Sequence, residues 1–125
     1  MTAILLDRFV VHTTPDVRRV LDPADVYWIE AEGGDSFLRF RGKKRLPDVR
    51  TLGELADAFA PHGFLRVHRN HLVNARKIRE IRRRTSRDYE LRLEAPVNTV
   101  LPIGRSYIDP LLTLLGDHRP APLPD

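Results

Sequence analysis

The sequence predicts a mainly β fold, built from short antiparallel strands with two short helices. Apolar runs are brief, turn residues such as Gly-Gly and Thr-Pro-Asp separate them at close intervals, and only two segments have helical periodicity. By pattern alone, this arrangement is typical of an all-β or β-rich sandwich. With 125 residues and no cysteine, the chain is expected to form one domain without disulfide bonds or thiolate metal sites.

Two hairpins are predicted in the first third of the chain. Residues 9–21 hold two apolar runs around a Thr-Thr-Pro-Asp turn. Residues 26–32 are rich in β-branched and aromatic side chains, which predicts a central strand, and the aromatic residues of 37–40 predict the strand after it. Residues 33–36 would then form a hairpin tip, where side chains are free to contact a ligand. Ordinary turn chemistry is the simpler explanation of the same residues.

The clearest helix signal begins at Thr51. Thr51 and Glu54 have the spacing of a capping box, in which each side chain accepts a hydrogen bond from the other residue's backbone amide. The residues behind it form one apolar stripe at helical spacing, namely Leu52, Leu55, Ala56 and Phe59. Pro61 and Gly63 should end this helix, whose expected role is packing.

Further strands and one more helix are predicted in the second half. The isoleucines of 78–81, a turn at 85–88 and the strict alternation of 89–94 predict a hairpin, and 100–103 predicts a last short strand. A second apolar stripe over 108–115 predicts a helix that Gly116 ends. We therefore expect a domain over 1–116 and a proline-rich flexible tail over 117–125.

Net charge and hydropathy limit the kinds of partner that the sequence suggests. Lys and Arg number 21 against 17 Asp and Glu, which gives a net charge of +4 and suits a phosphate-rich partner. An arginine-rich surface without a nucleic-acid partner is the alternative. No apolar run approaches the length of a bilayer span, and the first residues lack the layout of a signal peptide. The chain is expected to be a cytoplasmic protein without membrane insertion.

The segment 64–74, Phe-Leu-Arg-Val-His-Arg-Asn-His-Leu-Val-Asn, has apolar ends around a polar centre. The apolar ends should be buried and should hold the centre out as a rigid display. This segment resembles the central signature of the LytTR family, which comprises bacterial DNA-binding domains of response regulators. The resemblance extends to Ile-Glu-Ala-Glu-Gly at 29–33 and Leu-Pro-Ile-Gly-Arg-Ser-Tyr at 101–107, and covers roughly residues 7 to 116.

The resemblance implies a fold and a mode of DNA binding. The fold would be an elongated stack of small antiparallel sheets that inserts loops, not a recognition helix, into double-stranded DNA. The implied DNA contacts are Ser36 in the first tip, where Asp35 and Phe37 share the assignment, Arg69 in the central motif, and Arg105 after the last strand. Operators of this family consist of repeated elements, which implies two protomers on one DNA. Members of this family usually carry a receiver or a membrane-embedded sensor ahead of this domain. In a stand-alone member, the input signal would come from a partner protein such as a sensor or membrane protein, from oligomerisation or from the abundance of the protein.

Residue chemistry assigns the base contacts in more detail. Arg69 and Arg105 can each donate two parallel hydrogen bonds to the O6 and N7 atoms of guanine. Asn70 can form the corresponding pair of bonds with adenine, or it can cap the turn. These residues, with Ser36, are the candidate base-reading set.

Other residues suit phosphate contact or support. Arg66, Arg76 and Lys77 are expected to bind phosphates, which gives affinity and salt dependence without sequence choice. His68 is expected to hydrogen-bond to the backbone and to hold the shape of the display. The arginines of 82–84 could contact phosphates or could simply keep a strand edge soluble.

Two other classes of function were weighed. His68 and His71 could ligate a metal if the segment were helical, but in an extended segment they would face opposite sides. The sequence has no phosphate-binding glycine loop and no nucleophile elbow, so we expect no catalysis and no cofactor. A protein-interaction module whose basic face binds an acidic partner is the remaining alternative.

Overall fold

The computed structural model describes residues 6–117. Within this range, ten strands form three antiparallel sheets and two short helices accompany them, so the predicted mainly β class is confirmed. The strands are β1 Phe9–Thr14, β2 Val17–Leu21, β3 Trp28–Glu32, β4 Asp35–Arg39, β5 Arg45–Asp48, β6 Phe64–His68, β7 His71–Asn74, β8 Ile78–Arg83, β9 Tyr89–Leu93 and β10 Val100–Ile103. The helices are α1 Leu52–Phe59 and α2 Ile108–Leu114.

A five-stranded sheet occupies the centre, in the order β5-β4-β3-β7-β6. β3 is its middle strand, as the sequence predicts. Because successive residues of a strand face opposite sides, this sheet has two apolar faces. Ile29 and its neighbour Leu72 are buried on one face, and Trp28 and Val73 are buried on the other. Both faces therefore need a covering layer.

The first face is covered by the β1–β2 hairpin and by α1. Phe9 of β1 packs against Phe59 of α1, with ring centroids 4.1 Å apart, and against Phe64 of β6. The predicted capping box is present, because the Glu54 amide donates to Thr51 Oγ1 at 3.1 Å and the Thr51 amide donates to Glu54 Oε1 at 3.4 Å. These contacts fix the start of α1 and direct its apolar stripe into the core.

The second face is covered by the three-stranded sheet β10-β9-β8 and by α2. A second cluster of buried side chains fills this interface; its members are Tyr27, Trp28, Val67, Val73, Leu91, Leu93, Leu101, Ile103 and Leu111. The three sheets thus lie one upon another with the five-stranded sheet in the middle. This is the stack of small antiparallel sheets that the family resemblance implies.

A buried carboxylate joins β1, β5 and the entry to α1. Asp48 accepts hydrogen bonds from the His12 amide at 2.9 Å, from the Arg50 amide at 2.9 Å and from two guanidinium nitrogens of Arg50 at 3.0 and 2.8 Å. Burial raises the pKa of Asp48, but the hydrogen bonds from Arg50 and His12 outweigh it, so that the pKa lies below its ordinary value. The carboxylate is therefore ionised at neutral pH.

The structure also corrects the sequence-based boundaries. β5, which begins at Arg45, is a strand that the sequence did not predict. β5 contains Pro47 and lies at the edge of its sheet, the position where a strand tolerates proline. Apart from Asp117, the expected tail over 117–125 lies outside the described residues. None of the helices within 6–117 has the length and apolarity that crossing a bilayer requires.

Candidate nucleic-acid interface

The central motif folds as a hairpin. β6 and β7 are joined by a two-residue turn, Arg69 and Asn70, so that His68 lies directly opposite His71. The apolar ends of the motif are buried as expected, with Phe64 at 3% and Leu72 at 0% exposure. The polar residues at the turn are thus carried on two strands that the core holds in place.

Side chains of the hairpin itself fix the shape of this turn. The Asn70 amide donates to His68 Nδ1 at 3.1 Å, which confirms the expected backbone hydrogen bond of His68. Arg66 donates from Nε to the His68 carbonyl at 3.2 Å and from a terminal nitrogen to the Arg69 carbonyl. The Asn70 carbonyl in turn accepts a bond from the Ala31 amide of β3 at 3.0 Å. Every peptide group of the turn is therefore anchored except the Arg69 amide.

The side chains at the tip of the turn differ from the residues that hold it. Arg69 is exposed, and its guanidinium makes no hydrogen bond or ion pair with any residue of 6–117. The Asn70 side-chain amide likewise has no hydrogen-bond partner in this range. His68, not Asn70, caps the turn, so the Asn70 amide remains available for an external partner. Arg66, by contrast, is occupied by the turn and is a supporting residue, not a free phosphate ligand.

A second loop lies beside this turn. The Gly104 amide donates to the Val67 carbonyl at 2.8 Å, which brings the 3₁₀ turn Arg105–Tyr107 next to β6. A Cβ atom at Gly104 would lie 2.9 Å from the Tyr107 ring, so glycine is required for this close approach. The Arg105 side chain is exposed and has no partner among the described residues. Arg69 and Arg105 are thus brought to the same end of the molecule.

The β8–β9 turn completes this end. Tyr89 of β9 pairs with Ile103 of β10, which places the turn at 84–88 near Arg105. A cleft of about 690 Å³ separates these loops, and its lining includes His68, Arg84 and Arg105. Arg84 also pairs with Glu90, Nε to Oε1 at 3.0 Å. From sequence, the role of the arginines of 82–84 is open; the pairing of β8 with β9 places Arg84 beside the other loops.

The first hairpin tip lies at this end as well, but its turn is shorter than the expected 33–36. Gly33 and Gly34 form the whole β3–β4 turn, both with positive φ. Ser36 is therefore the second residue of β4, and its side chain is 1% exposed. Strand alternation turns Ser36, the DNA contact expected at this tip, into the core. Asp35 is exposed, whereas Phe37 lies under the Arg45 guanidinium at 4.0 Å.

We call this part of the molecule the loop end. It comprises the β3–β4 turn at 33–34, the β6–β7 turn at 69–70, the β8–β9 turn at 84–88 and the 3₁₀ turn Arg105–Tyr107. Four separate chain segments meet there because β3 pairs with β7 and because the Gly104 amide bonds to β6. α2 begins directly after the 3₁₀ turn, and its Ile108 and Leu111 pack into the second core cluster.

His71 lies just behind the loop end. Burial lowers its pKa, the neighbouring His68 lowers it further, and Glu30 opposes both effects. The two imidazoles are cross-strand neighbours with ring centroids 5.1 Å apart, so the expectation that they face opposite sides is wrong. Among the residues described, no three His, Cys, Asp or Glu side chains converge as metal ligands would. His71 is best explained as a neutral core residue.

Arg76 and Lys77 do not belong to the loop end. They follow the last residue of β7, at the opposite end of that strand from the Arg69 turn. Arg76 donates to the His62 carbonyl at 2.9 Å, and Lys77 pairs with Glu94 at 3.5 Å and lies over the Tyr27 ring. Any phosphate contact of Arg76 and Lys77 would therefore be made away from the loop end.

The described residues form a β-rich module that presents exposed guanidiniums on turns at one end. Comparison with known proteins identifies the family. The family model of the LytTr DNA-binding domain matches residues 16–116, and the chain belongs to the LytTR family of DNA-binding domains. DNA binding by an output domain of the response-regulator type is the function that this membership supports.

Solved structures support the fold independently. A LytTr DNA-binding domain from Bacillus cereus is 21% identical to this chain and has a TM-score of 0.72. The match covers 89% of this chain and 98% of that domain. At this identity the likeness shows the fold alone. A comparison with curated proteins finds no significant match.

Proposed function

We propose that the protein binds double-stranded DNA sequence-specifically through the loop end. One observation carries this proposal: two exposed guanidiniums, Arg69 and Arg105, lie on adjacent loops and have no partner among residues 6–117. Guanidinium groups that the fold leaves uncompensated are suited to phosphates and to guanine edges. Family membership supports DNA as the partner, and the geometry supports turns as the contacting elements.

Arg69, Arg105 and Asn70 are proposed as the base-reading residues. Each arginine can form a bidentate pair with guanine, worth about 1 to 3 kcal/mol of discrimination against another base. Asn70 can form the matching pair with adenine. Asp35 replaces Ser36 as the candidate of the first tip, where its carboxylate would accept a bond from a cytosine amino group.

The remaining residues of the loop end support these contacts. Arg66 and His68 hold the β6–β7 turn in one shape, so little conformational entropy is lost when DNA binds. Arg87 of the β8–β9 turn is exposed and forms no ion pair with a carboxylate within 6–117, which suits it for phosphate contact. Phosphate contacts of this kind would give affinity that falls with salt.

The biological role follows from these contacts. The protein would act as a cytoplasmic bacterial transcription regulator, without catalysis and without a cofactor. A single loop end spans few base pairs, so we propose that two protomers occupy repeated operator elements and thereby increase discrimination. A sensor or membrane partner protein would supply the input.

Selection of bound duplexes from a random DNA library tests this proposal. The purified chain is expected to enrich a repeated motif at near-physiological salt. The double variant Arg69→Ala/Arg105→Ala should enrich no motif or a shorter one. The matched control is Arg19→Ala/Arg41→Ala, which removes the same charge from exposed positions away from the loop end and should enrich the wild-type motif.

Two outcomes would contradict the proposal. A folded wild-type sample that enriches no motif would favour the protein-interaction alternative, in which the basic surface binds an acidic partner. Equal loss of enrichment in both double variants would mean that charge, not position, determines binding.

A further inference from the structure

A second cleft lies at the opposite end of the five-stranded sheet from the loop end. It is formed where β2, the start of β3 and the β4–β5 turn meet, and Lys77 closes one side. Its volume is about 460 Å³, within the range of roughly 300 to 1,000 Å³ that small-molecule sites occupy. The DNA-binding proposal does not use any residue of this cleft.

The floor of the cleft is apolar. Tyr27 and Leu46 line it from the sheet and are 6% and 8% exposed. Leu21 and Phe40 line the sides and are half-buried. A floor of this kind favours an apolar or aromatic group on a ligand, because covering it removes apolar surface from water.

The rim, by contrast, is strongly basic. Arg19 and Arg41 are exposed and form no ion pair with any residue in the described range. Lys44 contacts the Phe40 ring, with Nζ 5.6 Å from the centroid, and has no carboxylate partner there. Lys77 is already paired with Glu94. Asp25 is the only acid among the lining residues that the structure describes, so an anion at the rim would meet attraction from three cations.

We propose that this cleft binds a small amphipathic anion, a carboxylate or phosphate attached to an apolar body. The apolar body would lie against the half-buried Leu21 and Phe40, above Tyr27 and Leu46, and the anionic group would contact the side chains of Arg41, Lys44 and Arg19. Charge-assisted hydrogen bonds from these cations would orient the ligand. Asp25 would accept a hydrogen bond from a ligand hydroxyl or amino group.

The position of the cleft makes it independent of the loop end. β4 runs from Asp35 beside the first tip to Arg39 beside the cleft, and five strand residues span about 16 Å. A small ligand in the cleft and a duplex on the loop end can therefore bind at the same time. Ligand binding in the cleft can therefore be tested separately from DNA binding, because the cleft ligand is not a nucleic acid.

Titration with 8-anilinonaphthalene-1-sulfonate tests the proposal, since this probe joins an anionic group to an aromatic body. We expect saturable one-to-one binding at near-physiological salt. The neutral analogue N-phenyl-1-naphthylamine should bind at least fivefold more weakly. Inorganic phosphate alone should compete only weakly, because it lacks the apolar body.

Two double variants locate the site. Arg41→Ala/Lys44→Ala changes exposed side chains of a turn and should weaken probe binding at least fivefold with an unchanged melting temperature. Arg69→Ala/Arg105→Ala removes the same charge at the loop end and should leave probe affinity unchanged. A duplex should not displace the probe. Equal affinity in the two double variants, equal binding of the neutral analogue, or displacement by a duplex would overturn the proposal.

Discussion

Arginine is used in opposite ways at the α1 layer and at the loop end. In the α1 layer, the Arg50 side chain is 17% exposed and its guanidinium donates to the buried Asp48 carboxylate. At the loop end, Arg69 is exposed and its guanidinium has no partner in 6–117. Residue type therefore does not distinguish arginines that stabilise the fold from arginines that are available to a ligand. Whether the guanidinium already has a hydrogen-bond partner within the protein does.

Even within one hairpin the same distinction holds. Arg66 and Arg69 are only three residues apart. The Arg66 guanidinium donates hydrogen bonds to the backbone carbonyls of His68 and Arg69, whereas the Arg69 side chain is exposed. Substitutions in the α1 layer should therefore change stability, and substitutions at the loop end should change DNA binding. The predictions below test this division in order of expected effect.

Phe59→Ala should have the largest effect, a loss of about 3 to 5 kcal/mol of unfolding free energy. Phe59 is 2% exposed and packs against the rings of Phe9 and Phe64, so truncation leaves a cavity between α1 and the central sheet. Thermal or urea unfolding measures the loss. Leu114→Ala, at a position 55% exposed, is the control and should change stability little; equal effects would place α1 outside the core.

Asp48→Ala should cost about 3 kcal/mol of stability, because it leaves the half-buried His12 amide and the Arg50 guanidinium without their acceptor. Asp57→Ala on the exposed side of α1 is the control. Because the pKa of Asp48 is lowered in the folded state, its contribution is complete above the ordinary pKa of 3.8 and is lost as pH falls through the folded value. Below about pH 4, the wild type should therefore lose more unfolding free energy than Asp48→Ala does. An equal loss in the two proteins would contradict this assignment.

Arg69→Ala and Arg105→Ala should each weaken binding to the selected duplex by about 1 to 3 kcal/mol while affecting a scrambled duplex less. Their melting temperatures should stay at the wild-type value, because neither guanidinium contributes to the described fold. Titrations of labelled duplexes measure both affinities. Equal losses on the two duplexes would make these residues phosphate anchors.

Arg66→Ala should weaken binding to the selected duplex by about 1 kcal/mol, through loss of the hydrogen bonds that hold the turn carbonyls. Arg66→Lys should not restore affinity, because an ammonium group lacks the planar fork that reaches two carbonyls. A full rescue by lysine would show that only positive charge is needed and that Arg66 contacts phosphate directly.

His71→Gln should have the smallest effect, confined to the pH dependence of stability. The folded pKa of His71 lies below its ordinary value of 6.5 because of burial and the nearby His68. Neutral His71 therefore stabilises the fold fully above that value, and the contribution is lost as pH falls through the folded pKa. The wild-type melting temperature should fall more between pH 7 and pH 5 than that of the variant; parallel curves would exclude this role.

Much of the fold could be predicted because its signals are local. Thr51 with Glu54, the two glycines at 33–34 and the alternation of 89–94 each specify an element within a few residues. β5 could not be predicted in the same way, since Pro47 argues against a strand unless the edge position is known. The β6–β7 hairpin was also missed, because its turn is Arg69 and Asn70 and contains no glycine or proline.

The candidate site depended on longer-range information. Arg69 and Arg105 were identified from sequence, but that they share one end follows only from the Gly104 bond to β6. A register difference of one residue decides whether Ser36 or Asp35 faces solvent. Arg76 is close to Arg69 in sequence, but the two residues lie at opposite ends of β7.

Replacement of single guanines by 7-deazaguanine in the selected duplex tests the central claim most directly, since it removes only the N7 acceptor. We predict one guanine at which the wild type loses about fivefold or more in affinity, near 1 kcal/mol, and at which Arg69→Ala loses nothing further. A different guanine should show the same relation with Arg105→Ala. If both variants lose as much as the wild type at every guanine, the loop-end arginines do not read bases and the account is contradicted.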